Sequence, residues 1–367
     1  MDLREIESLA AFDAFVAQGG RTLRRCHLQS LDLRERAPVL ARLEVATAVF
    51  LGCRFADGDG PGTEHDVRRR GALVFPAVPD LPFDPYRAAL YTPEELYDGL
   101  GAGYPSTPDA RAYAWSRTPR ELDRTLAAAL HDHAIDDALG DFAEGRTVVG
   151  VLGGHALRRD EPGYAHAVRL GRALAADRTV ATGGGPGAME AANLGAFLAG
   201  QPEDAVEEAL AILAGAPDFR ADVGAWARAA FDVRDRVGSG GDSLGIPTWF
   251  YGHEPPNAFA SVIAKYFSNA LREDVLIRTC RGGLVFLPGA AGTVQEIFQA
   301  ACENYYAQPA QVVPMVLVGK EHWTRRLGAW DLLGTLAAGR PFGAALRLVD
   351  EPEEVLPALV ELRGDRG

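Results

Sequence analysis

Lysine is almost missing from this sequence: the 37 basic residues include only two lysines, Lys265 and Lys320, and the rest are arginines. We read that bias first as base composition. It leaves two candidates for a Schiff base with pyridoxal phosphate, the anchor that amino-acid decarboxylation requires. Neither has a convincing set of partners. Lys265 falls opposite the apolar face of an expected helix, and Lys320 follows an expected strand beside a stretch rich in Trp and Arg. Cysteine is also scarce. Cys26, Cys53, Cys280 and Cys302 are scattered, with no C-x-x-C spacing, which argues against zinc and against a disulfide framework. Among the eight histidines, His131 and His133 are two apart and face different sides of a helix, so no metal site is expected.

Positive charge is in short supply overall, with 50 acidic residues against 37 basic ones and a net charge of −13. A surface that wraps nucleic acid or lies on an anionic membrane is therefore not expected, because both would repel the chain. A small anion would need a local electropositive pocket. No run of about 18 apolar residues occurs. The N-terminus carries Asp2, Glu5 and Glu7 in place of a basic leader, so a cytoplasmic location is expected. The phosphate-loop pattern G-x-x-x-x-G-K-[ST] is missing too.

What is present is a chain of 367 residues, 47% hydrophobic, long enough for one large or two smaller cores. From about residue 147, β-rich runs alternate with helical stretches, the pattern of a parallel sheet interleaved with helices. Strands are expected at 147–152, 179–182, 246–250, 284–287 and 312–318, with a last one at 346–349. A helix is expected at 259–271, where Phe259, Val262, Ile263, Tyr266, Phe267 and Ala270 recur at helical spacing. The fold class is α/β, with a Rossmann-like parallel sheet covered by helices on both faces. The expected division is 1–143 and 144–367. The first part, rich in Leu, Arg and Pro, has helical patterns at 93–100 and 119–139 and short-strand alternation at 26–55. It is read as an extension of uncertain fold, a docking or capping region without chemistry.

Two glycine-rich segments stand where strands pass into helices. Gly183-Gly184-Gly185-Pro186-Gly187-Ala188-Met189-Glu190 suits close backbone approach to a ligand and an anion at a helix N-terminus. It also satisfies G-x-G-x-x-A, but the acidic residue of a dinucleotide site is lacking, since Glu207 and Glu208 lie in a helical stretch. The alternative is a plain tight turn from strand to helix. Leu287-Pro288-Gly289-Ala290-Ala291-Gly292-Thr293-Val294-Gln295-Glu296 offers backbone N–H groups and a hydroxyl to a phosphate, with Glu296 three residues beyond Thr293. The same Thr-x-x-Glu spacing is also that of a capping box. Gly241-Asp242-Ser243-Leu244-Gly245 fits G-x-S-x-G, but a nucleophile elbow needs a strand before its serine, and here the strand is expected after it. His155, at the end of the first strand of the sheet, is a base or ribose contact or a bystander.

Together, the two glycine segments resemble the signatures of the LOG (Lonely Guy) family of phosphoribohydrolases, the second being its P-G-G-x-G-T-x-x-E motif. The family is often mislabelled as lysine decarboxylase, and its longer bacterial relatives act as nucleotide 5'-monophosphate nucleosidases. The resemblance runs from about 147 to 349. It implies hydrolysis of the N-glycosidic bond of a nucleoside 5'-monophosphate, without a cofactor, in a homodimer or higher even oligomer. It assigns Glu296 as the catalytic carboxylate and Arg272, on a preceding helix, as the catalytic arginine. It implies that Gly184, Gly185, Gly187, Gly289, Ala290, Gly292 and Thr293 bind substrate or its phosphate, with Glu254 as an acidic nucleotide contact. Ala290 departs from the motif's second glycine, and Glu273 stands where the family usually has lysine. The residues taken alone leave open that Arg272 simply faces water beside Ser261, Lys265 and Ser268. They also leave open a non-catalytic nucleotide sensor using the same pocket, or an enzyme of another class.

Overall fold

The computed structural model describes residues 4–119, 121–250 and 254–364. The chain packs into two compact units, one formed by residues 1–89 and 120–138, the other by 90–119 and 139–367. This differs from a single division after 143: residues 90–119 pack with the larger unit, and the boundary falls inside the helix Leu122–Ala143.

The smaller unit is built on four short parallel strands in sequence order, β1 (Arg4–Ile6), β2 (Cys26–Gln29), β3 (Val49–Leu51) and β4 (Leu73–Phe75). The pairing register stacks Ile6 on Leu28, Leu28 on Phe50 and Phe50 on Val74, at intervals of 22, 22 and 24 residues, and all four are buried. The turns repeat with them: Arg25 and Thr47 adopt positive φ at equivalent places before β2 and β3, and Gly71 does so before β4. One strand per repeat, each covering its neighbour's apolar face, is the arrangement of a short solenoid. The sequence contains the repeat as Leu23-x-x-Cys26-x-Leu28-x-x-Leu31-x-Leu33 followed by Val45-x-x-Ala48-x-Phe50-x-x-Cys53-x-Phe55, and every named position is buried. The alternation at 26–55 is thus two coils of one repeat.

The larger unit carries a seven-stranded, all-parallel sheet made of β5 (Val148–Leu152), β6 (Thr179–Thr182), β7 (Ser243–Gly245), β8 (Val262–Ile263), β9 (Leu284–Phe286), β10 (Met315–Val318) and β11 (Leu346–Val349). Their order is β11-β10-β9-β5-β6-β7-β8. The chain therefore builds outward from β5 in one direction and then resumes at β9 on its other side, so the order reverses between β5 and β9. This is a Rossmann-like α/β fold, and the reversal is its topological switch point. Helices cover both faces. Val149 and Val151 share a buried cluster with Tyr164 and Val168 of the helix Pro162–Leu174, Ala191 of Ala188–Phe197 and Leu359 of Val355–Gly364. Gly150, between the two valines and so facing the opposite side, leaves room for Cys280: a methyl at Gly150 would come within 2.8 Å of its Sγ.

Two expected elements differ. The strand expected at 246–250 forms earlier, at β7, because Pro247 has no N–H to donate to a ladder. The helix expected at 259–271 does not form as such. Val262 and Ile263 make β8, with Ile263 N–H donating to Tyr91 O and Ala264 N–H to Gly245 O, each at 2.8 Å. The helix begins only at Asn269 (Asn269–Thr279), where Ser268 caps it by accepting from Leu271 N–H. Tertiary pairing of β-branched residues overrides a helical periodicity. Among the described residues no helix is long and apolar enough to cross a membrane.

Candidate active site at the switch point

Loops after β5, β6 and β9 meet at the carboxyl ends of the strands. Gly154 N–H donates to Pro288 O and Ala188 N–H to Gly154 O, each at 3.1 Å. Gly187, at φ +74°, lies so close to the β5 loop that a methyl there would come within 2.5 Å of Gly154 O. Both glycine-rich segments therefore border one place, with Gly153-Gly154-His155 between them.

The two segments differ in what they can offer a ligand. Residues 183–187 are buried. Gly184, at φ +70°, donates its N–H to Thr182 Oγ1 at 2.9 Å and accepts from Asn257 N–H through its carbonyl at 2.8 Å. Asn257 Nδ2 also donates to Gly185 O at 3.3 Å. Gly184 thus uses its N–H and carbonyl to hold the turn. Gly185 faces the site, since a methyl there would stand 3.3 Å from Glu254 Oε2.

Beyond β9, the helix Ala291–Tyr306 begins two residues before Thr293, with Ala290 as an N-cap whose side chain makes no bond. The capping-box reading of Thr293 and Glu296 is therefore wrong: Thr293 is in the first turn and Glu296 in the second, on the same buried face. Ala290, Ala291 and Gly292 are exposed, and first-turn N–H groups have no partner within their own helix. Thr293 is buried against Gly289, where a methyl would meet its Oγ1 at 2.1 Å.

Arg272, on the helix Asn269–Thr279, points its Nη1 at Glu296 Oε1 from 3.2 Å and stands 3.4 Å from Glu273 Oε2. Its side chain is 12% exposed, so the water-facing alternative is excluded, and with it the shared polar face of Lys265, Ser261 and Ser268. A methyl at Gly183 would lie 3.8 Å from the same Nη1, so the pair opens toward the glycine turn. Glu254 Oε1 lies 3.2 Å from His155 Nδ1, both side chains partly exposed. His253, its neighbour in sequence, lies outside the described residues.

Burial pushes the Glu296 carboxyl up to about 7; the carboxylates of Glu273 and Glu254 add to this, and Arg272 opposes it. A carboxyl that changes charge near neutrality is suited to proton transfer at physiological pH.

No protein-family model matches the sequence, and no curated protein matches it. Among solved structures, the X-ray structure of TM1055, a structural-genomics target, is similar to 59% of this chain and 99% of its own, at 20% identity and a TM-score of 0.34. The Rossmann-like assignment stands on the strand order of the larger unit itself.

Three groups around the site have roles that the sequence did not reveal. His322, on the single π turn His322–Arg326 after β10, places Nε2 2.9 Å from Gly289 O and 3.3 Å from Gly289 N. Only one contact is a hydrogen bond at a time: a protonated Nε2 donates to the carbonyl, and an unprotonated one accepts from the N–H. Glu190, the last residue of the first glycine segment, is fully buried and accepts from Arg159 Nε at 2.9 Å, Arg159 Nη2 at 2.5 Å and Tyr164 OH at 2.9 Å. Arg159 Nη1 donates onward to Trp226 O at 2.9 Å. This network ties the β5 loop to the helix behind the glycine turn. Lys265, expected on a helix, is fully buried with Nζ 2.5 Å from Asp109 Oδ1, and burial lowers its pKa against the pull of that carboxylate. The pairings of Glu190 and Lys265 carry no sequence pattern, because their partners are distant in the chain.

Ser243 lies on β7, buried, accepting from Asn193 Nδ2 at 3.1 Å, which removes the nucleophile-elbow reading. Among the described residues no group of three or more His, Cys, Asp or Glu side chains could hold a metal ion.

Proposed function

We propose that the larger unit hydrolyses the N-glycosidic bond of a nucleoside 5'-monophosphate, releasing the free base and ribose 5-phosphate, as its resemblance to the LOG phosphoribohydrolases implies. The observation that carries the reading is the buried Glu296–Arg272 pair, 3.2 Å apart, at the switch point beside an exposed helix N-terminus.

In this reading the 5'-phosphate sits at residues 290–292, where backbone N–H groups and the helix dipole favour an anion. Fixing the phosphate brings the ribose over Glu296. As the bond from C1' to the base nitrogen breaks, its electron pair leaves with the base and positive charge spreads over C1' and the ring oxygen. The Glu296 carboxylate faces that charge and takes a proton from the water that attacks C1'. The departing base nitrogen takes up a proton from solvent and Glu296 returns its own to solvent, so that the elements of water are added across the bond. Arg272 holds the carboxylate in place and presents its guanidinium to the ribose or phosphate. Glu254 and His155, at the rim, lie where a ribose hydroxyl or base edge would come.

The test is incubation of the purified protein with the common nucleoside 5'-monophosphates, measuring base and ribose 5-phosphate separately. Equimolar release from at least one supports the reading. Binding without release from any of them overturns it in favour of a sensor.

A further inference from the structure

Glu273 follows Arg272 on the same helix, and its side chain is only 4% exposed. Its Oε2 lies 3.4 Å from Arg272 Nη1, the nitrogen that also stands 3.2 Å from Glu296 Oε1. That Oε2 has no hydrogen-bond partner, while Oε1 accepts from Asn269 Nδ2 at a long 3.4 Å. A single guanidinium nitrogen thus faces two buried carboxylates, one of them poorly satisfied. Two anions sharing one cation in a site with little water leave uncompensated negative charge, and the cheapest relief is for one of them to retain a proton.

We propose that Glu273 is a positioning residue of the site: by competing with Glu296 for Arg272, it sets how readily Glu296 gives up its proton. The other charged and titratable groups around Glu296 do not substitute for it. Glu254 adds negative charge from the rim and is itself paired with His155. The Cys280 thiol, behind Glu296, is pushed up by burial and stays neutral. Glu273 is the carboxylate that draws on the same guanidinium nitrogen. Its effect on Glu296 is in the direction the geometry demands, upward, after burial.

The activity arm of this inference rests on the nucleosidase reading; the titration arm does not. The experiment compares the wild-type chain with Glu273→Gln, which keeps shape and a hydrogen bond but not charge. The Glu296 carboxyl is followed by carbon-13 NMR across pH and assigned by its loss in Glu296→Gln. The rising limb of kcat/KM against pH is measured for adenosine monophosphate. The expected result is a downward move of the Glu296 inflection by about one pH unit, with the same move in the activity limb. Glu273→Met, a second uncharged side chain of similar size, gives the same shift and covers poor folding of the first. An unchanged inflection in either folded variant overturns the proposal, because a residue that only braces Arg272 would leave it in place. A shifted inflection with no cleavage by any form supports the role of Glu273 and removes the nucleosidase reading.

Discussion

Arg272 and Glu296, 24 residues apart in sequence and on different helices, meet with Nη1 3.2 Å from Oε1. The contact shows that Glu296 is not spent on its own helix. Glu296→Gln should therefore leave the helix Ala291–Tyr306 and the far-ultraviolet circular dichroism unchanged, while turnover of a nucleoside monophosphate falls by on the order of 10²–10⁴. Glutamine still accepts a hydrogen bond from Arg272, so the loss isolates the charge. Full turnover in the folded variant would return Glu296 to a structural role.

The same carboxyl couples stability to pH. In the folded chain Glu296 holds its proton up to about 7, against an ordinary value of 4.5. Below 4.5 it is protonated folded and unfolded alike and costs nothing. Between 4.5 and about 7 the unfolded chain has released the proton and the folded chain has not, so stability declines as pH rises and stays reduced above. Glu296→Gln lacks this decline. Its stability relative to wild type, from urea denaturation, should rise between pH 4.5 and 7 by on the order of a few kcal/mol at most. A difference independent of pH would contradict the burial argument.

Glu190 offers a test remote from the reacting atoms. Glu190→Ala leaves Arg159, with a side chain 1% exposed, buried without its carboxylate. Breaking a buried pair from one side costs about 3–5 kcal/mol, and here it also frees the β5 loop from the helix behind the glycine turn. Denaturation should show that loss, with Glu190→Gln retaining part of it through hydrogen bonds. A loss under about 1 kcal/mol would mean that the network does not hold these loops.

The α/β class was legible because buried parallel strands are short, β-branched and separated by helices; residues 179–182 and 346–349 match β6 and β11 to the residue. The glycine segments could be placed at strand ends, but their chemistry could not be divided between them. Only the fold reveals that Gly184 N–H is used by Thr182 and that the helix beyond Pro288 opens at Ala290. The segment 259–271 misled because Phe259, Ile263 and Tyr266 are buried by surroundings on more than one side, which mimics a helical stripe. In the first 89 residues the signal was a 22-residue period, visible only when Leu28 and Phe50 are aligned as equivalent positions. His322 needed distances, since neither residue type nor spacing singles it out, and Glu273 stood out only as a departure from the family's lysine until its approach to Arg272 Nη1 was measured.

The central claim is that the exposed helix start at residues 290–292 binds a 5'-phosphate and thereby sets the ribose against Glu296. Steady-state kcat/KM for adenosine monophosphate and for adenosine, measured on the same preparation, tests it most directly. Losing the phosphate should lower the chemical rate as well as raise KM, because the sugar is no longer aligned. The account predicts that adenosine is cleaved about a hundredfold less efficiently or worse. Comparable values for the two would mean that the helix start is not a phosphate site and that Glu296 works, if at all, on some other substrate.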